Sequence, residues 1–167
     1  MKRALSSFIG NVSGAAAAEM ALMLPTLTVL LFGGMEGGYF FWSEHRVIKA
    51  VRDGARYAAR QSFDQFDCSA ATTTTATAIA IKNLTRTGTL DASGAPVVPN
   101  WADAQTSVTV APCNTATATG LFLTQPNGAV RVTVSADVPY TSLFVTLGFT
   151  TANLRLRASE QAVVMGL

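Results

Sequence analysis

GAAAAEMALMLPTLTVLLFGGMEGG, residues 14–38, is the stretch on which the architecture turns. From Ala15 to Phe32 only Glu19 carries a charge, and the apolar character runs through a glycine-rich patch to Trp42. That reaches the roughly 20 residues that a helix needs to cross the hydrocarbon core of a bilayer. The run is longer than the apolar part of an ordinary secretory signal, and no A-x-A-like site follows it closely, so it is expected to stay in the protein as an anchor. Tyr39, Phe40, Phe41 and Trp42 at its far end suit the aromatic belt of a membrane interface. Glu19 stands out, because a carboxylate at the head of a span costs up to a few kcal/mol unless something pairs with it. Pro25 and the glycines at 33, 34, 37 and 38 are places where the helix is expected to kink or loosen.

Outward from this stretch, residues 1–14 are short and mixed, and carry Lys2 and Arg3. On the other side, residues 44–61 turn amphipathic at helical spacing. Val47, Val51, Gly54 or Ala55, and Ala58 fall on one face. Lys49, Arg52, Arg56 and Arg60 fall on another, a stripe that reads equally as a solvated face or as one that meets a partner or lipid headgroups. These cations and Arg46, set against Lys2 and Arg3, would favour a cytoplasmic C-terminal side by the positive-inside tendency. Their interleaving with Glu44 and Asp53, the Thr-rich body and the cysteine pair favour export instead.

Residues 70–87 (AATTTTATAIAIKNLTRT) mix strand-favouring threonines with helix-favouring alanines; their length suggests a helix ending near Gly88. Residues 88–104, with Gly88, Gly94, Pro96 and Pro99, read as a loop. Three strands are then expected, over 107–111, 129–138 and 154–164. In the second, Val130, Val132, Val134 and Ala136 alternate with polar residues behind an Asn127-Gly128 turn. In the third, Leu154, Leu156 and Ala158 alternate with Arg155, Arg157 and Ser159. Residues 140–149 (YTSLFVTLGF) are apolar enough to pack beneath the sheet, whereas Asp137, Tyr140 and Glu160 read as surface residues, Tyr140 being the start of that apolar segment. The fold class is α+β. A long N-terminal transmembrane and amphipathic helix is followed by a small domain with one further helix and an antiparallel sheet.

Composition narrows the function. The net charge is +2 and belongs to Lys2 and Arg3; without residues 1–14 the chain has 10 basic and 10 acidic side chains, so nothing in the charge balance calls for nucleic acid. His45 is the single histidine, and neither a metal-ligand spacing nor a G-x-S-x-G nucleophile motif occurs; no metal, cofactor or enzymatic activity is expected. Cys68 and Cys113 either form a disulfide in an oxidising compartment or remain two reduced, buried thiols.

The residues Gly14, Ala15 to Ala18 and Glu19 resemble a type IV prepilin processing site, where a membrane-embedded aspartic peptidase cuts after the glycine and the glutamate becomes the fifth mature residue. More narrowly, Gly14/Glu19, Leu24-Pro25, Glu36 and the segment VRDGARYAAR at 51–60 resemble the TadE/TadG-like pseudopilins of tight-adherence (Flp, type IVb) pili. Met20 and Gly38 depart from that pattern. The resemblance implies a leader at 1–14, a transmembrane helix at 15–42, an amphipathic extension at 43–63 and an α+β domain at 64–167. It implies cleavage between Gly14 and Ala15, with the new amine of Ala15 and the carboxylate of Glu19 pairing between neighbouring subunits. Pro25 and Glu36 would serve membrane or interhelix contacts. The implied partners are prepilin peptidase, other pseudopilins and the major Flp pilin, the inner-membrane assembly platform and the lipid bilayer. The implied location is the bacterial inner membrane with the C-terminal domain in the periplasm, or the extracellular pilus itself. A permanently anchored envelope binding protein with an uncut leader is the alternative.

Overall fold

The computed structural model describes residues 12–145, 148 and 153–166, with the backbone alone at 12 and 13. The expected leader therefore lies largely outside the described residues, as do parts of the 140–149 segment. The chain divides into two compact units, residues 1–39 and 40–167, which are described separately.

Helix α1, Val12–Ala59, supplies the first unit and opens the second. Within the first unit it is apolar on every side and buried on none: Leu22, Val29, Leu30 and Leu31 are each more than 60% exposed. Pro25 and the four glycines do not interrupt it, contrary to the expected loosening. The hydroxyl of Thr28 donates to the Leu24 carbonyl at 2.7 Å, which gives a backbone acceptor beside the proline an extra partner.

In the second unit α1 behaves as the amphipathic pattern predicts. Val47, Val51, Ala55 and Ala58 are at most 1% exposed, while Arg52, Arg56 and Arg60 face outward. Two short strands follow, β1 (Phe66–Asp67) and β2 (Thr72–Thr73), paired antiparallel. Helix α2, Thr75–Thr87, ends as expected: Gly88 takes a left-handed conformation (φ 78°) and donates its N–H to the Leu84 carbonyl at 2.9 Å. The helix starts five residues later than the expected 70. Its threonines are accommodated because the buried hydroxyls bond back to the preceding turn, Thr85 to Ile81 O at 2.8 Å and Thr87 to Asn83 O at 2.9 Å.

Strands β3 (Thr106–Val110), β4 (Arg131–Pro139) and β5 (Arg155–Val163) form an antiparallel sheet in the order β3-β4-β5. The period-2 pattern of β4 is read out faithfully, with Val132, Val134 and Val138 fully buried and Ala136 nearly so. The inner face of the sheet meets the helices where Gly54 of α1 lies against Thr85 of α2 and Val134 of β4. Trp101, 2% exposed, closes the core, with its indole N–H donating to Thr106 Oγ1 at 2.9 Å.

Three expectations need correction. Along β5, an edge strand, only Leu156 is buried, and Leu154, which lies just before the strand, is 44% exposed. In the 140–149 segment Tyr140 and Ser142 are buried, but Leu143 and Val145 are 44% and 51% exposed, so the segment does not as a whole pack beneath the sheet. Tyr140 itself is a core residue, its ring edge-on to Phe40 at 5.2 Å.

Asp137 is a surface residue with partners: Arg155 holds it by a charged hydrogen bond, and Arg157 sits at 3.4 Å from the same oxygen. The Arg155 hydrogen bond, partly offset by the cost of burial and aided by the charges of Arg155 and Arg157, lowers its pKa below the usual 3.8. A depressed carboxylate pKa stabilises the fold above the unfolded value and loses that contribution as pH falls through the folded one. The pair is exposed, so the effect should be less than about 1 kcal/mol. Asp137→Asn is expected to remove a small part of the acid sensitivity below pH ~4 in denaturant titrations, and to leave stability at acid extremes unchanged.

Cys68, between β1 and β2, and Cys113, after β3, are joined by a disulfide with a Cα–Cα distance of 4.8 Å. The sequence separation is 45 residues. A loop of that size gives about 4 kcal/mol in the chain-entropy description. Reduction, or Cys68→Ser with Cys113→Ser, should lower the unfolding free energy by about that amount, read as a shift in the denaturant midpoint at unchanged slope.

Candidate functional site

The residues with the sharpest expected chemistry lie in the first turns of α1. Gly14 is helical and open, with no neighbouring atom within 4 Å of where a side chain would start. Ala15 and Glu19 are one turn apart and both exposed, so their side chains share a helix face. Among the described residues Glu19 makes no ion pair with a cation, and the residues around it offer no polar group to soften its burial in lipid. Beyond it Met20, Leu22, Met23, Leu24 and Leu27 are all more than half exposed. A helix this apolar and this uncovered must be met by lipid tails or by other helices. Glu36, half-buried, lies nearly five turns further on, in the same compact unit as Glu19.

The structure does not draw these residues into a catalytic cluster. Among the described residues no three of His, Cys, Asp and Glu come together as a metal site would require. What the segment presents is one exposed helix with a small-residue head, a carboxylate one turn in, and an apolar body long enough to cross a membrane.

A long apolar N-terminal helix and a disulfide-closed α+β domain define the class, a protein with one helix long and apolar enough to cross a membrane. Within that class, residues 14–56 match the family model for TadE-like protein, about a quarter of the chain. TadE-like proteins are a structural family associated with the Tad pilus. No curated protein and no solved structure matches the chain.

Sequence reasoning overlooked two features of the second unit. The core role of Tyr140 was hidden because its partner, Phe40, lies a hundred residues away and was read as part of the aromatic belt. The close approach at Gly54 was also missed, although a glycine on the apolar face of an amphipathic helix, where alanine or valine would otherwise serve, is a signal that could have found it.

Proposed function

We propose that the chain is a pseudopilin or minor pilin that helps to initiate, prime or tip a thin adhesive Flp-type pilus. It acts after prepilin peptidase has cut between Gly14 and Ala15. The observation that carries this reading is the TadE-like match beginning at Gly14, on a helix whose apolar sides are left uncovered by its own chain. Such a helix needs a second home besides lipid once it leaves the bilayer, and a bundle of like helices provides one. Cleavage would create a positive amine at Ala15 close to the level of Glu19. In a stack of subunits the carboxylate of one would meet the amine of its neighbour, and the low dielectric would make that pair both strong and selective. The domain at 64–167 would then stand in the periplasm, where the Cys68–Cys113 bond persists.

Intact-mass measurement of the protein extracted from native membranes tests this. The expected mass is that of a chain starting at Ala15, with the disulfide closed. A full-length mass in cells that make working pili would overturn the proposal and support a permanently anchored envelope protein.

A further inference from the structure

A groove of about 610 Å³ runs along the second unit between α1 and the end of α2. Trp42, Arg46, Lys49 and Asp53 form one wall, and Leu84 and Val97 the other. Spacings of four, three and four residues put the first four on one stripe of α1. The Arg46 guanidinium lies over the Trp42 ring at 4.9 Å, which holds the cation without neutralising it. Among the described residues neither Arg46 nor Lys49 forms an ion pair with a carboxylate. The one acid in the groove, Asp53, is paired with Arg56 at 3.8 Å. On the facing side two of the carbonyls that end α2 are occupied, Leu84 O by the Gly88 N–H and Arg86 O by the Val97 N–H, each at 2.9 Å.

We propose that this groove binds the phosphodiester headgroup of one anionic phospholipid from the bilayer that α1 enters. Charge complementarity selects an anion: two uncompensated cations flank the cleft, and its remaining acid is already engaged. Position selects a lipid over a soluble anion. Trp42 closes the aromatic run that follows the apolar stretch. At 1.5 Å per residue Arg46 stands about 6 Å beyond it along the axis, within the roughly 5–8 Å of one headgroup layer. Lys49 stands about 10 Å beyond it, just past that layer and able to reach back with its long side chain. Leu84 and Val97 give the opposite wall an apolar lining against which the glycerol end can rest. Arg46 supplies a fork suited to two phosphate oxygens, and Lys49 a point charge.

The test is native mass spectrometry of the full chain in detergent with equimolar phosphatidylglycerol and phosphatidylcholine. The wild type should retain a single phosphatidylglycerol with at least a fivefold preference, and inorganic phosphate at millimolar concentration should not displace it. Arg46→Gln with Lys49→Gln should abolish the preference. Arg52→Gln with Arg60→Gln removes the same charge from outside the groove and should keep it. All three proteins should show the same helical circular dichroism, since the altered side chains are exposed. Absence of a preference in the wild type, displacement by inorganic phosphate, or equal loss in the two double variants would each overturn the site.

Discussion

A Glu19→Val chain is expected to insert and to be cut after Gly14, yet to stay in the membrane without entering or starting pili. Valine suits a lipid-facing helix better than glutamate, so anchoring should improve if anything. What disappears is the charge that would meet a neighbour's Ala15 amine. Removing one partner of a buried ion pair costs about 3–5 kcal/mol, because the other charge is left stranded in a low dielectric. That corresponds to a loss of subunit association on the order of 100-fold or more. Gly14→Ala should reach the same end by an earlier route: the precursor is not processed, no amine forms at Ala15, and full-length chain accumulates. Counting pili by electron microscopy while following the cleaved and uncleaved masses separates the two steps. Normal pili from both variants would refute the pairing.

Gly54→Val should destabilise the folded domain by about 3 kcal/mol, and the reason inverts an ordinary rule. Glycine inside a helix is normally improved by alanine, by about 0.5–1 kcal/mol. At Gly54 an added Cβ would coincide with the hydroxyl of Thr85 and come to 3.3 Å from its Cβ and 3.6 Å from Val134 Cγ1. Thr85 is fully buried and its hydroxyl is committed to Ile81 O, so it has nowhere to retreat. Overpacking of this kind costs about 1–3 kcal/mol and at times more, and the branched side chain of valine lies at the upper end. Denaturant unfolding of the detergent-solubilised chain, followed by the buried Trp101, measures it. Gly54→Ala should also destabilise, and Thr85→Ala combined with it should recover most of the loss. A Gly54→Ala protein more stable than wild type would show that α1 does not approach α2 this closely.

How much of this was legible in the sequence depended on how local the cause was. The apolar run of α1, the alternation in β4 and the Gly88 stop of α2 are each set by neighbours within a few residues, and each was readable. Leu154 is exposed despite its place in the pattern, since alternation reveals which side a residue faces, not whether anything covers that side. Leu143 and Val145 were misjudged because apolar content alone does not assign a cover. The helix over Thr75–Thr87 follows from its length against the pull of its threonines, and the hydroxyls of Thr85 and Thr87, bonding to Ile81 and Asn83, turn a strand-favouring residue into one that a buried helix tolerates. The candidate site was readable as a motif, since Gly14, Ala15 and Glu19 are contiguous. The groove at Trp42 and Arg46 was not, because its second wall comes from Leu84 and Val97, some forty to fifty residues away.

The bond between Cys68 and Cys113 also bears on what the domain can withstand when the chain is pulled from its two ends. Tension passing from α1 to the C-terminal strand must cross the cysteine pair, and the covalent link carries it past everything between them. Helix α2 and strand β3 are thereby withheld from stretching. With a separation of 45 residues, about 150 Å of slack stays locked inside the subunit unless the sulfurs are reduced.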